Sequence, residues 1–329
     1  MSPLTPISSP VATPGAARWW FSLGGVLWLA GCGGDKPSTT TNSTGVAPSL
    51  ITEVTDSAVV PAADLWAVVD GSAVYLPADG GSAQVVLPPV HDDSVPRASA
   101  VTMPASVAPA SIDLFSPSGK VATVAVGEYT AGAQREVAEA CDAWPVVPLR
   151  DAPTGDGAWT VALLAGTATA IPADRLGGLS ATDSSRLVVE ITKAASLLPL
   201  DSAGLLRRVP FGVTLAYRTR LDAGVELVVA VVERRLNMEA SPKTERTVLL
   251  LEKQRGARAF STVWRETQFA TEDDLIAIDV LAIVTFNEGT PRPSVFLGED
   301  FGDGSRVQLL QRSGAGTWSL RWSSAYTGC

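Results

Sequence analysis

The runs Val225-Glu226-Leu227-Val228-Val229-Ala230-Val231-Val232 and Thr247-Val248-Leu249-Leu250-Leu251 flank a polar turn region around Ser241-Pro242-Lys243. A strand with one face in water alternates apolar and polar residues. These runs are nearly continuous and rich in branched side chains, as in central strands covered on both faces. Upstream, Leu187, Val188, Ile191, Ala194, Ala195 and Leu198 recur at helical spacing, behind Ser180 or Thr182 as N-cap and Asp183 in the first turn. Steps of three and four put these side chains on one stripe, and Pro199, lacking an N–H, ends the element. One amphipathic helix is therefore predicted over about residues 183–198.

Downstream the strands continue through Phe260 to Phe269, Leu275 to Phe286, Ser294 to Gly298 and, after Asp303-Gly304, Val307 to Leu310. Gly314-Ala315-Gly316 then turns into Thr317 to Ser323, where Trp318, Leu320 and Trp322 alternate with Ser319, Arg321 and Ser323. Period two places the first three on one, apolar face. A helix followed by a long antiparallel meander predicts an α+β, β-rich fold, mainly antiparallel, with the helix packed across a curved sheet. No internal repeat marks a propeller or solenoid.

The preceding region is hairpin-like. Leu65 to Val69, Asp70-Gly71 and Ala73 to Leu76 carry the short hairpin signal of a D-G step between apolar runs. A second strand-turn-strand reads Ser111 to Phe115, Ser116-Pro117-Ser118-Gly119, Lys120 to Val126; the stretch from His91 to Pro109 between them is loop. A brief helix carrying Val137, Cys141 and Trp144 stops at Pro145, and Trp159 to Ile171 reads as strand, turn at Gly166, strand. Asp151 to Gly157 looks like a break, which divides the chain into a β-rich region over 51–150 and an α+β domain over 157–329.

The net charge is −9, and charged residues make up 18% of the chain against roughly 25% in ordinary globular proteins. No Lys/Arg cluster appears along the sequence, so nothing would displace counterions from phosphates, and nucleic acid is not an expected partner.

The first residues carry an address. Trp19 to Ala30 form an apolar run preceded by one basic residue, Arg18, and too short for the ~20 residues of a spanning helix. It ends in Leu29-Ala30-Gly31-Cys32, and Gly33 to Gly45 is a polar tract that cannot bury enough surface to fold. The L-A-G-C tetrapeptide resembles the lipobox of bacterial lipoproteins. That resemblance implies removal of residues 1–31 as a signal peptide, acylation of Cys32 (thioether lipid and palmitate-like chains), and a flexible tether over 32–50. It implies a cell-envelope location, the outer membrane where Gly33 follows the cysteine in a Gram-negative cell, otherwise the outer face of the plasma membrane. Cleavage would also remove Arg18, making the mature chain one unit more acidic. With Cys32 acylated, Cys141 and Cys329 remain, and in an oxidising compartment they are expected to form one disulfide. It would close a loop of roughly 190 residues, for which the chain-entropy model gives about 5 kcal/mol as an upper estimate.

Catalytic signatures are sparse. His91 is the single histidine and no G-x-S-x-G elbow occurs, so His-based nucleophilic or metal sites have little to build on. Glu299, Asp300 and Asp303 near a tight turn resemble only a fragment of a calcium loop, with wrong spacing and no distal Glu; a hairpin decorated with solubilising acids is the simpler reading. Glu272-Asp273-Asp274 reads as a charged connection. Trp66, Trp144, Trp159, Trp264, Trp318 and Trp322 could line a carbohydrate platform, though Trp318 and Trp322 read as core. No catalytic residue and no cofactor is expected. The leading expectation is a non-enzymatic envelope lipoprotein that binds another envelope component or serves structurally. A carrier of a lipid or small hydrophobe would need a large dry cavity under the helix; a carboxylate-based hydrolase would need a polar cleft with two facing carboxylates.

Overall fold

The computed structural model describes residues 72–86, 111–127 and 144–328, apart from 154, 156, 199–203, 205, 222–223, 237–241, 271–274 and 288, together with the backbone of Val68 and Val69. The segments read from sequence as signal and tether, Trp66, the stretch from His91 to Pro109 read as loop, the stretch around Val137 and Cys141 read as a brief helix, Glu272 to Asp274 and Cys329 lie outside these residues.

Strand β1 (Val68–Val69) pairs with β2 (Ser72–Ala73), with Val69 opposite Ser72 across the Asp70-Gly71 step, as a two-residue hairpin loop requires. The strands β3 (Tyr75–Ala78), β4 (Ser82–Val85), β5 (Ser111–Ser116), β6 (Gly119–Val126), β7 (Val146–Arg150) and β8 (Val161–Leu164) close into a barrel in the order β3-β4-β7-β6-β5-β8. The β5–β6 hairpin turns at Pro117 and Ser118 as its sequence predicts. The barrel takes its last strand from beyond the Asp151 to Gly157 break. The strand-turn-strand around Gly166 is not a hairpin: β8 stays in the barrel, while β9 (Ala168–Ala170) crosses to another sheet and pairs with β15 (Ala277–Phe286).

After β10 (Asp174–Arg175) comes α1 (Ala181–Ser196), with Ser180 as the N-cap; its hydroxyl oxygen accepts the Asp183 N–H at 3.1 Å. Then β11 (Gly212–Arg220), β12 (Glu226–Leu236), β13 (Lys243–Lys253) and β14 (Ser261–Ala270) form an antiparallel meander with β10 at its edge. A second meander runs through β15, β16 (Pro293–Asp300), β17 (Gly304–Gly314) and β18 (Thr317–Ser323), with β9 at one edge and β19 (Thr327–Gly328) beside β17. The α+β, β-rich, antiparallel class stands. The meander is not one curved sheet, however, but two stacked ones.

The apolar run of β12 shows why. Leu227, Val229 and Val231 pack towards the second sheet with Val280, Ile283, Val295, Leu297, Leu310 and Trp318. Val228, Ala230 and Val232 face the other way, against Leu187, Ile191, Ala194 and Ala195 of α1. β13 splits likewise, Val248 and Leu250 against Leu249 and Leu251. The second sheet also has two apolar faces: Ala282, Val284, Phe286, Phe296, Val307 and Leu309 meet Val74, Phe115, Trp144, Val161 and Leu163 on the barrel's outside. The barrel interior is filled separately by Tyr75, Ile112, Leu114, Val124, Val147 and Trp159. The order of layers is thus helix, first sheet, second sheet, barrel, all within the unit Ala58–Cys329. Among the described residues no helix is long and apolar enough to cross a membrane.

The last long strand departs from its alternation. Leu310 lies opposite Leu320 but Leu309 lies opposite Trp322, so a β-bulge at Arg321 turns the chain over. Trp318 therefore packs between the two sheets and Trp322 against the barrel side, while Leu320, at the sheet edge, is 47% exposed. Trp318→Ala should destabilise by ~3–5 kcal/mol, the cost of truncating a large buried aromatic. Leu320→Ser should change stability by no more than roughly 0.5 kcal/mol. Thermal melts of the two variants check this, and a large loss in Leu320→Ser would contradict the bulge.

Candidate functional site

The two sheets meet through a polar seam. Glu252, at the end of β13, is 2% exposed and accepts five hydrogen bonds, one of them from its near neighbour Gln254 at 3.0 Å. Arg312 of β17 donates from Nε at 2.7 Å and from a terminal nitrogen at 3.0 Å. The Trp318 indole N–H donates at 2.6 Å, and the Gly316 N–H at 3.2 Å. Burial alone would raise this carboxyl, but the Arg312 fork, the Trp318 and Gly316 donors and the Arg312 charge together hold it below its usual range. Apart from Gln254, these donors belong to the second sheet or its β17–β18 turn, so one carboxylate clamps two layers.

Further along the same interface, Glu299 of β16 is 3% exposed, where sequence alone suggests a solvated acid. Its Oε2 accepts from Arg306 at 2.6 Å and its Oε1 from Gln308 at 3.0 Å. Glu266 of β14 approaches from the other sheet. Burial raises its carboxyl, and the Glu299 charge raises it further, against weaker opposition from Gln308 and Arg306. Two facing carboxylates are thus present, but both Glu299 oxygens are already bound to neighbouring side chains, which makes the pair part of the packing.

The other residues singled out in sequence do not converge on Glu299. Asp300 accepts the Gly302 N–H at 2.8 Å, and Asp303 accepts the Tyr326 hydroxyl at 2.8 Å. Among the described residues no group of three or more His, Cys, Asp or Glu is placed to hold a metal ion. Trp144, Trp159 and Trp318 are buried in apolar clusters, and Trp264 and Trp322 pack against them. Beneath α1 the space is occupied by Leu187, Ile191, Ala194 and Ala195 against Ala216, Val228, Ala230 and Leu249.

An open recess lies instead at the end of the first sheet. It has a volume of about 430 Å³ and is bounded by Arg220, Gly224, Glu226, Lys253, Gln254, Arg255, Gly256 and Ala257. Strand register builds it: Arg220 pairs with Glu226 across β11–β12, and Glu226 with Lys253 across β12–β13. The turns after β11 and β13 add Gly224 (φ 76°) and Gly256 (φ 83°), left-handed positions that suit glycine. Sequence reading missed this site because Arg220 lies more than thirty positions from Lys253 and Arg255. The signal was the register of two consecutive hairpins, legible only once their turns are placed.

Comparison with protein-family models, with curated proteins and with solved structures gave no match.

Two outcomes follow from the seam. Glu252→Gln leaves Arg312 without its ion-pair partner and should cost about 3–5 kcal/mol, whereas Glu252→Leu with Arg312→Met should recover much of that loss, because an apolar pair carries no desolvation penalty. Denaturant unfolding of both variants measures it. Glu266, with its folded-state pKa raised, favours folding when protonated, and that contribution disappears as pH rises through the folded value. Glu266→Gln should therefore melt above the wild type at neutral pH and converge with it below the unfolded carboxylate range, about pH 4. Equal melting points across that span would contradict the raised pKa.

Proposed function

We propose that this chain is a lipid-anchored protein of the bacterial cell envelope with a binding or structural role, held by an acylated Cys32. The observation that carries the reading is Leu29-Ala30-Gly31-Cys32, placed between the apolar run Trp19 to Ala30 and a polar, glycine- and threonine-rich tract. A polar tract of this composition suits a tether between an anchor and a folded body. The chemistry of the body points to binding rather than turnover. Its buried acids are spent on Arg312, Arg306 and Arg234 inside the fold, where Arg234 donates to Glu245 from Nε at 2.7 Å.

We also assign Cys141 and Cys329 to one disulfide. The Trp144 N–H donates to Thr327 Oγ1 at 3.3 Å. This contact supports the pairing because it joins a point three residues after Cys141 to one two residues before Cys329, a separation short flanking segments can span. The bond would tie the last strand, β19, to the entry of the barrel.

Both assignments are read in one experiment on the exported protein, grown with labelled fatty acid and digested without reduction. The label should reside on the peptide beginning at Cys32, and the Cys141 and Cys329 peptides should be recovered joined. Cys32→Ser should lose the label and the membrane fractionation while the body melts as before. Label retained by Cys32→Ser would refute the anchor, and two freely alkylatable thiols would refute the disulfide.

A further inference from the structure

The recess at the end of the first sheet is where cations outnumber acids in a chain of net charge −9. Of its lining groups, Glu226 is shared with Arg218, whose Nε lies 3.9 Å away, and Lys253 leans towards Glu190 of α1 at 3.6 Å. Arg220 and Arg255 have no carboxylate within ion-pair distance among the described residues, and both guanidinium groups line the one recess. The Arg255 stem also lies over the neighbouring turn, its Cδ 3.7 Å from where a side chain on Gly224 would begin. The Arg255 stem thus runs close past the β11–β12 turn, at the rim of the recess.

We infer that this recess binds a phosphate-bearing ligand, its phosphate taken by Arg220 and Arg255 with Lys253 adding charge. Guanidinium groups present planar forks of donors that match phosphate oxygens two at a time, and a compact dianion balances two positive charges where a single carboxylate would not. The volume, about 430 Å³, lies at the small end of ligand pockets and suits a phosphate ester with a modest organic body. Arg220 and Arg255 are exposed, so an incoming anion meets them without a conformational change. The inference is independent of the lipid anchor, since the phosphate titration below does not depend on acylation.

The full chain, purified in detergent at low ionic strength, is titrated calorimetrically with inorganic phosphate. Saturable one-site binding is expected, weakening as salt is added because exposed charges are screened. Arg220→Gln combined with Arg255→Gln should weaken it about tenfold or more with an unchanged melting midpoint. Glu226→Gln, which removes the carboxylate lining the recess, should tighten it. Two further probes separate the source of the phosphate. Short-chain phosphatidic acid, whose phosphomonoester can carry two negative charges, should bind more tightly than inorganic phosphate below its micelle concentration if the ligand is a lipid headgroup. Glycerol phosphate should match or exceed that lipid if the ligand is a free phosphate ester. Absence of saturable phosphate binding to the wild type, or binding left intact by the double substitution, overturns the inference.

Discussion

A strand that is apolar on both faces must be covered on both faces, and this one constraint generates the layering of the molecule. Each square ångström of apolar surface left in water costs roughly 25 cal/mol, so β12 and β13 cannot sit in an outer sheet with one face bare. The face bearing Val228, Ala230 and Val232 is taken by a single helix, whose Leu187 and Ile191 fit the surface that small residues leave. The face bearing Val229 and Val231 needs a wider cover, which the second meander supplies. That cover is itself apolar on both sides, and so the problem passes on to a third layer. It ends at the barrel, because a closed barrel encloses its own interior and needs to offer only part of its outside.

Apolar faces alone leave the sheets free to slide, since branched side chains pack against one another in several registers. The buried ionic contacts remove that freedom. Glu252 reaches the Arg312 fork, the Trp318 indole and the Gly316 N–H only when β13 ends opposite the β17–β18 turn. Arg246 of β13 does likewise, donating to Glu233 of β12 at 2.9 Å and, at 2.6 Å, to the carbonyl of Ile276 at the entry to β15. Such groups add little net stability compared with a well-packed apolar pair, but a displaced register would leave each of them buried and unpaired. Their contribution is to make one alignment of the layers far better than its neighbours.

What the sequence made legible follows from how local each signal is. The helix was readable because its stripe, its Ser180 cap and Pro199 lie within one short window, and the β5–β6 hairpin because its turn chemistry sits between its own strands. The division of the long meander into two sheets was not readable. Both halves have the same apolar, branched texture, and only the step between β14 and β15 decides which strands pair. The Arg321 bulge hid in an apparently clean alternation, since one extra residue inverts the face of Trp322 without altering the pattern of types. Glu299 reads as a surface acid, and nothing local singles out Glu252, for a similar reason: their partners Arg306 and Arg312 become neighbours only across strands or across layers. The recess combines both difficulties, needing two hairpin registers and the packing of Arg255 over Gly224.

The pattern of ion pairing also changes what the net charge means. Composition gives an acidic protein, but Asp113, Glu245, Glu252 and Glu299 are all buried and are bound by Lys120, Arg234, Arg312 and Arg306. A buried carboxylate matched by its own cation adds almost nothing to the field outside, so the surface potential is set by the charges that remain. Among the described residues at the end of the first sheet those lining the recess are Arg220, Lys253 and Arg255, beside a Glu226 already drawn towards Arg218. Local field at a concave, partly low-dielectric surface governs which ions gather there, whatever the sign of the whole chain. Each such pair removes one cation with one anion, so the excess of acids is unchanged, and it is the placement of the remaining charges that decides where anions gather. Among the described residues lining the recess, Arg220, Lys253 and Arg255 stand against Glu226 alone, so an acidic sequence presents one locally cationic recess.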